Sequence, residues 1–175
     1  KWLRELLEIL QNESTDPKEF MDLLRIDLYN EEIFVFTPAG DLIQLPIDST
    51  PVDFAFQVHT QVGMHCMGAK INHTVVPLNT KLKNGDMVEI ITSKKQMPSY
   101  GWQKFIVTTK ARNLVNRYLK KTHDEESVKL GKEILTKTLR RMKLMNEKDV
   151  LLKAFSRFGY ADERSLLIAI GTGIL

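Results

Sequence analysis

Apolar side chains recur along this chain in two rhythms, one of three to four residues and one of two. Trp2, Leu3, Leu6, Leu7 and Leu10 fall at helical spacing. After a polar break, Asp16-Pro17-Lys18-Glu19 supplies an N-cap, a proline at the first helical position and a glutamate two residues on, and Phe20, Leu23 and Leu24 continue a second helix. From Ile33 the period shortens. Ile33–Thr37 and Leu42–Leu45 are β-rich runs around Pro38-Ala39-Gly40-Asp41, whose proline and glycine favour a reversing turn, so a hairpin is predicted. Thr50-Pro51-Val52-Asp53 starts a helix again, with Phe54, Ala55, Val58 and Val62 on one stripe facing the sheet and Gly63 closing it as a left-handed cap. Gly68–Ile71 and Thr74–Val76 frame Asn72-His73 as a second hairpin, and Asn84-Gly85-Asp86 turns the chain into a strand over Met87–Thr92.

Beyond Ser93 the helical rhythm returns. Ala111, Leu114, Val115, Tyr118 and Leu119 form one stripe, and Ile134, Leu135, Leu139 and Met142 form another. Asn146 is placed to cap a third helix carrying Val150, Leu151, Ala154, Phe155 and Phe158 and ending at Gly159; Leu166–Ile170 begins a fourth that closes at Gly171. The fold class implied is α+β: a β-grasp (ubiquitin-like) domain over residues 31–93, in the order β-β-α-β-β-β, between an N-terminal helical segment (1–30) and a linker with an α-helical domain (94–175). Neither end reads as a natural terminus, and a piece of a longer protein is expected.

The composition, 43% hydrophobic over 175 residues, suits one large or two small cores and excludes disordered and fibrous classes. No apolar run approaches the ~20 residues needed to span a bilayer, the first thirty residues carry no secretory pattern, and the lone Cys66 agrees with a reducing, cytoplasmic setting. Charge changes the picture more. The net +3 hides segments of −3 (residues 1–30), −4 (31–93), +10 (94–145) and 0 (146–175), the third holding 14 basic and 4 acidic side chains. Such a concentration is the footprint of a surface that meets phosphates, or a solvated lysine-rich helix face.

Chemistry is sparse. There is no glycine-rich phosphate loop with its lysine, no serine or cysteine nucleophile constellation, and no acidic cluster suited to magnesium. His65 and His73 with Cys66 lack zinc spacing, and His123-Asp124 has no further ligands nearby and reads as an accident of a helix start. No catalytic residue, metal or cofactor is therefore expected. One step of about 100° beyond Val58, His59 falls at the rim of the module's helix beside Phe56 and Val52, where an imidazole and an aromatic ring can stack on a base or ribose. It can equally bond a loop carbonyl. Lys70 reaches a phosphate or is simply solvated. The basic segment adds Lys104, Lys110, Arg112, Arg117, Lys120 and Lys121, with Arg117 and Lys121 one turn apart opposite the apolar stripe, suited to tracking a backbone without reading its sequence. Trp102 and Phe105, interleaved with these charges, stack on RNA or anchor the linker to its own domain.

The runs VFTPAGDLIQLPIDSTPVDFAFQVHTQVG and CMGAKINHTVVPLNTKLKNGDMVEIIT, followed by helices ending in Ala169-Ile170-Gly171-Thr172-Gly173, closely resemble the TGS domain and adjoining helical region of the RelA/SpoT homologue family. TGS modules also occur in threonyl-tRNA synthetases and some GTPases, so the flanks carry the choice. The resemblance implies the regulatory part of a (p)ppGpp synthetase/hydrolase (GTP pyrophosphokinase) of the stringent response. Residues 1–30 would be the tail of the synthetase domain, and both catalytic domains would lie upstream of Lys1. It implies that the region, itself no catalyst, binds the 3′ CCA end of deacylated tRNA on the ribosome, that His59 contacts that end, and that occupancy is passed to the upstream domains. In some relatives the TGS domain binds acyl carrier protein instead, and an intramolecular clamp on the catalytic domains is a third possibility. A membrane partner is not implied.

Overall fold

The computed structural model describes residues 31–174, and the two helices expected in residues 1–30 lie outside the described residues. The described residues divide into two compact units, with the boundary between Arg117 and Tyr118. In the first, β1 (Glu32–Phe36) and β2 (Leu42–Pro46) pair antiparallel with Phe36 opposite Leu42. Their turn is closed by Thr37, whose backbone N–H donates to the Asp41 carbonyl at 2.9 Å, and Gly40 takes the positive φ of 91° that the reversal requires. Then follow α1 (Pro51–Val58), α2 (Thr60–Met64), β3 (Cys66–Ile71), β4 (Thr74–Val76) and β5 (Val88–Thr92). β3 pairs antiparallel with both β4 and β5. Asn72 and His73, both at positive φ (49° and 70°), make a two-residue turn whose twist matches the strands. A parallel bridge between Phe36 and Met87, with the Phe36 amide on the Asp86 carbonyl at 2.8 Å, joins the two ladders in the order β2-β1-β5-β3-β4. That is the β-grasp order.

Period-two alternation sends Ile33, Val35, Leu45 and Val88 inward against Phe54 of α1, with Leu82 from the loop before β5. Phe34, Phe36 and Leu42 face outward and are exposed. Cys66 is fully buried, and desolvation pushes its thiol up to about 12, which makes it inert.

The single helix expected from Thr50 to Val62 is two helices. The break falls at His59, whose backbone is extended (φ −162°, ψ 143°). Its amide donates the last bond of α1, to Ala55, and its carbonyl accepts the first bond of α2, from Gly63. Gly63 is not a left-handed cap: it lies inside α2, and a Cβ there would run into the ring of Phe56. Phe56 is consequently buried beneath α2, with no surface exposed, and so is Val52. The break also means that the helical rotation that put His59 beside Phe56 and Val52 does not apply to it; Val58, expected to face the sheet, is 43% exposed.

The strands are followed by a 3-10 turn at Tyr100–Lys104, in which Trp102 is buried, as is Ile106 just after it, so Trp102 anchors the linker; then α3 begins. This helix spans Thr109–Arg141, replacing the two helices expected from the separate stripes, and it contains the His123-Asp124 pair at mid-length instead of at a start. Its middle is rich in lysine and glutamate and free of proline, so nothing stops the helix between the stripes. Buried positions recur every fourth residue: Ala111, Val115, Leu119, Ser127, Gly131, Leu135 and Leu139, with exposed His123 filling the gap. Four residues turn through about 400°, so this row winds around the helix instead of keeping one face.

In the second unit, a 3-10 turn (Met145–Glu147) leads into α4 (Lys148–Lys153) and another 3-10 turn (Phe155–Phe158) ending at Gly159 with φ 80°. Asn146 therefore caps no helix, and Val150 and Phe158 point to solvent because the segment is too broken to keep one apolar face. The last helix, α5 (Glu163–Thr172), starts at Asp162, whose carboxylate accepts the Ser165 amide at 2.6 Å. It closes at Gly173 in the left-handed conformation, not at Gly171. Gly171 has another task. A Cβ on it would overlap the Ser127 carbonyl, and one on Gly131 would overlap the Leu167 carbonyl, so α3 and α5 cross with their backbones in contact. Leu135, Leu139, Leu152 and Leu167 fill the core beside this crossing.

Candidate nucleic-acid interface

His59 is the joint between α1 and α2, and its exposed side chain is fixed by that position. Its Nδ1 accepts the Gln61 amide at 3.1 Å and so caps α2. An accepting Nδ1 leaves the proton on Nε2 in the neutral ring, where it is available as a donor to a partner. The expected stacking pair with Phe56 is absent, because Phe56 lies in the core; His59 is a lone ring on a short, well-defined joint.

The end of α2 has its own anchor. His65 follows Met64, its Nδ1 lies 2.9 Å from the Gln96 carbonyl, and its carbonyl accepts the Ser93 amide at 3.0 Å. This pins the turn Ser93–Gln96, and Lys94 and Lys95 on it are exposed. The five-residue helix α2 thus joins His59 at one end to His65, and through it to the turn carrying this lysine pair, at the other. Sequence reasoning passed over this pair. The available signal was the doublet directly after a strand.

The remaining site residues do not all gather with His59. Lys70 lies in β3 between inward-facing Ala69 and Ile71, and therefore on the opposite face of the sheet from α1, across from Glu89 of β5. Lys110, Arg117 and Lys121 fall within about 40° of one another around α3, opposite the Ala111–Val115 row. Arg117 and Lys121 are exposed, as are Lys104 and Lys120, and Lys110 is half-buried. Arg112 is not in that group: it projects from the other side, half-buried, and its Nη2 donates to the Ile106 carbonyl at 2.7 Å. Among the described residues, no three histidine, cysteine or acidic side chains are grouped to hold a metal, and no helix is long and apolar enough to cross a membrane. The arrangement offers one imidazole donor, a pinned lysine pair and a cationic helix face, which suits contact with a phosphate-bearing chain.

Comparison with known proteins resolves which β-grasp this is. Residues 33–92 match the TGS domain model and residues 118–175 match the RelA/SpoT AH domain model. The chain is the TGS–AH region of a RelA/SpoT-type protein. It is 48% identical over 170 residues to the guanosine-3′,5′-bis(diphosphate) 3′-pyrophosphohydrolase of Aquifex aeolicus, covering 97% of this chain and 24% of that protein. It is 42% identical over 176 residues to a GTP pyrophosphokinase of Myxococcus xanthus (98% and 23%). With the bifunctional (p)ppGpp synthase/hydrolase RelA of Mycobacterium tuberculosis it shares 44% over 179 residues (98% and 24%). The chain thus spans about a quarter of the length of these curated relatives.

Proposed function

We propose that this TGS–AH region is the sensing and regulatory part of a cytoplasmic (p)ppGpp synthetase/hydrolase, not a catalyst itself, and that it recognises the 3′ CCA end of deacylated tRNA on the ribosome. His59 is the reader: its ring stacks on or donates to the terminal nucleotides. Lys94 and Lys95, with Lys110, Arg117 and Lys121, attract the phosphates near that end without reading sequence. A free 3′ hydroxyl fits where an aminoacyl group would clash, so selection is by shape. Occupancy is then passed to the catalytic domains.

The observation that carries the reading is the one-residue joint, which holds an exposed imidazole on a β-grasp of this family. The joint also dictates the variant to use. Because His59 caps α2, His59→Ala loses a cap as well as a ring, whereas His59→Asn keeps a capping oxygen and removes the ring alone. Binding of His59→Asn to full-length tRNA is expected to weaken by about 1–3 kcal/mol, the worth of one base-stacking ring, with thermal melting close to the parent's. Trimming the terminal CCA should weaken the parent and leave the variant little changed. Capture of acyl carrier protein by a chain that does not distinguish intact from trimmed tRNA would replace this reading with a protein-docking one.

A further inference from the structure

Asp53 holds more than its own helix. One of its carboxylate oxygens accepts the Thr50 amide (2.9 Å) and the Thr50 hydroxyl (3.1 Å), the N-terminal bonding expected of an acid at the third helical position. The other accepts the Val107 amide (3.0 Å), the Thr108 amide (2.8 Å) and the Thr108 hydroxyl (2.9 Å), more than fifty residues away. The carboxyl has no exposed surface, and Thr50, Thr108 and Thr109 around it are nearly as deeply buried. Burial raises its pKa above 3.8, and the bonds from Thr50, Thr108 and Val107 pull it the other way.

Residues 107–108 are the last before α3, and Thr108 begins that helix: its carbonyl accepts the Arg112 amide at 3.0 Å and its hydroxyl accepts the Ala111 amide at 3.3 Å. One buried carboxylate therefore sits on the first turn of α1 and on the capping turn of α3 at once. The two family matches stop at residue 92 and resume at 118, so the tied segment belongs to neither. Within that segment Trp102, Ile106, Ala111 and Val115 are buried in the first unit, but apolar packing permits sliding where three directed bonds from the segment to a single carboxylate do not.

We propose that Asp53 is a positioning residue that locks the origin of α3 to α1, so that a displacement of α1, whose far end is the His59 joint, is handed directly to the first turn of α3. Segment 93–117 then acts as a rigid extension of the TGS fold, whatever meets His59.

Backbone amide hydrogen exchange on the full 175-residue chain tests this without any ligand. In the parent, the Val107 and Thr108 amides and the first turn of α3 should be as protected as Val35 and Val88 in the sheet. In Asp53→Asn, and more mildly in Thr108→Val, those amides should exchange at least tenfold faster while the sheet amides keep the parent's rates, which marks local release. If Asp53→Asn accelerates sheet and segment by one common factor, or neither, Asp53 is an ordinary core residue and the lock is disproved. Should Asp53→Asn fail to fold, Thr108→Val decides alone by the same criterion.

Discussion

The two units hold their helices by opposite means. In the β-grasp unit the contacts are made by large or charged side chains: Phe54 plugs the sheet, Phe56 lies under α2, and Asp53 bonds across fifty residues. In the helical unit the decisive contact is made by side chains that are missing, since Gly131 and Gly171 let α3 and α5 touch backbone to backbone. The first unit should accordingly fail when atoms are removed and the second when they are added. A sequence pattern advertises bulk far better than it advertises absence.

Phe54→Ala is expected to show the largest effect, about 3–5 kcal/mol lost from the β-grasp unit in denaturant unfolding followed by a probe in that unit. Next come Gly131→Ala and Gly171→Ala, each about 1–3 kcal/mol by overpacking, felt in the helical unit. Their obstacle is a carbonyl, not the movable end of a side chain. Neutral behaviour of both alanines would abolish the contrast. Smallest is Lys121→Ala: its ion pair with Glu125 is 4.0 Å long between exposed groups, and its loss should change stability by no more than about 0.5 kcal/mol.

Turn chemistry made the sheet legible. Gly40, Asn72-His73 and Gly85 mark reversals that only a few residue types tolerate, and the strands between them have a period of two, so the α+β class and the β-grasp order could be read directly. The joint at His59 was hidden because an apolar stripe from Phe54 to Val62 continues through it, and the close packing of Phe56 on Gly63 that accompanies the break leaves no mark in that stripe. α3 was split because its buried row winds around the helix, whereas stripe reasoning looks for a fixed face. Asp53 announced its local role as a capping acid and gave no sign of its distant one, since long-range hydrogen bonds leave no periodicity. At the site, the exposure of His59 was legible; the burial of Phe56, the tethering of Arg112 to Ile106 and the pinning of Lys94-Lys95 through His65 were not.

The proposed function rests on a division of labour, in which His59 selects the tRNA end and the lysines supply unselective attraction. The direct measurement is affinity for intact and CCA-trimmed tRNA across a salt series, for the parent, His59→Asn and the Lys94→Ala/Lys95→Ala pair. His59→Asn is expected to lose end discrimination while keeping the parent's log–log salt slope, and the lysine pair to keep discrimination while its slope shrinks by roughly one per phosphate contact removed. Discrimination that survives in His59→Asn and disappears in the lysine variant would contradict it.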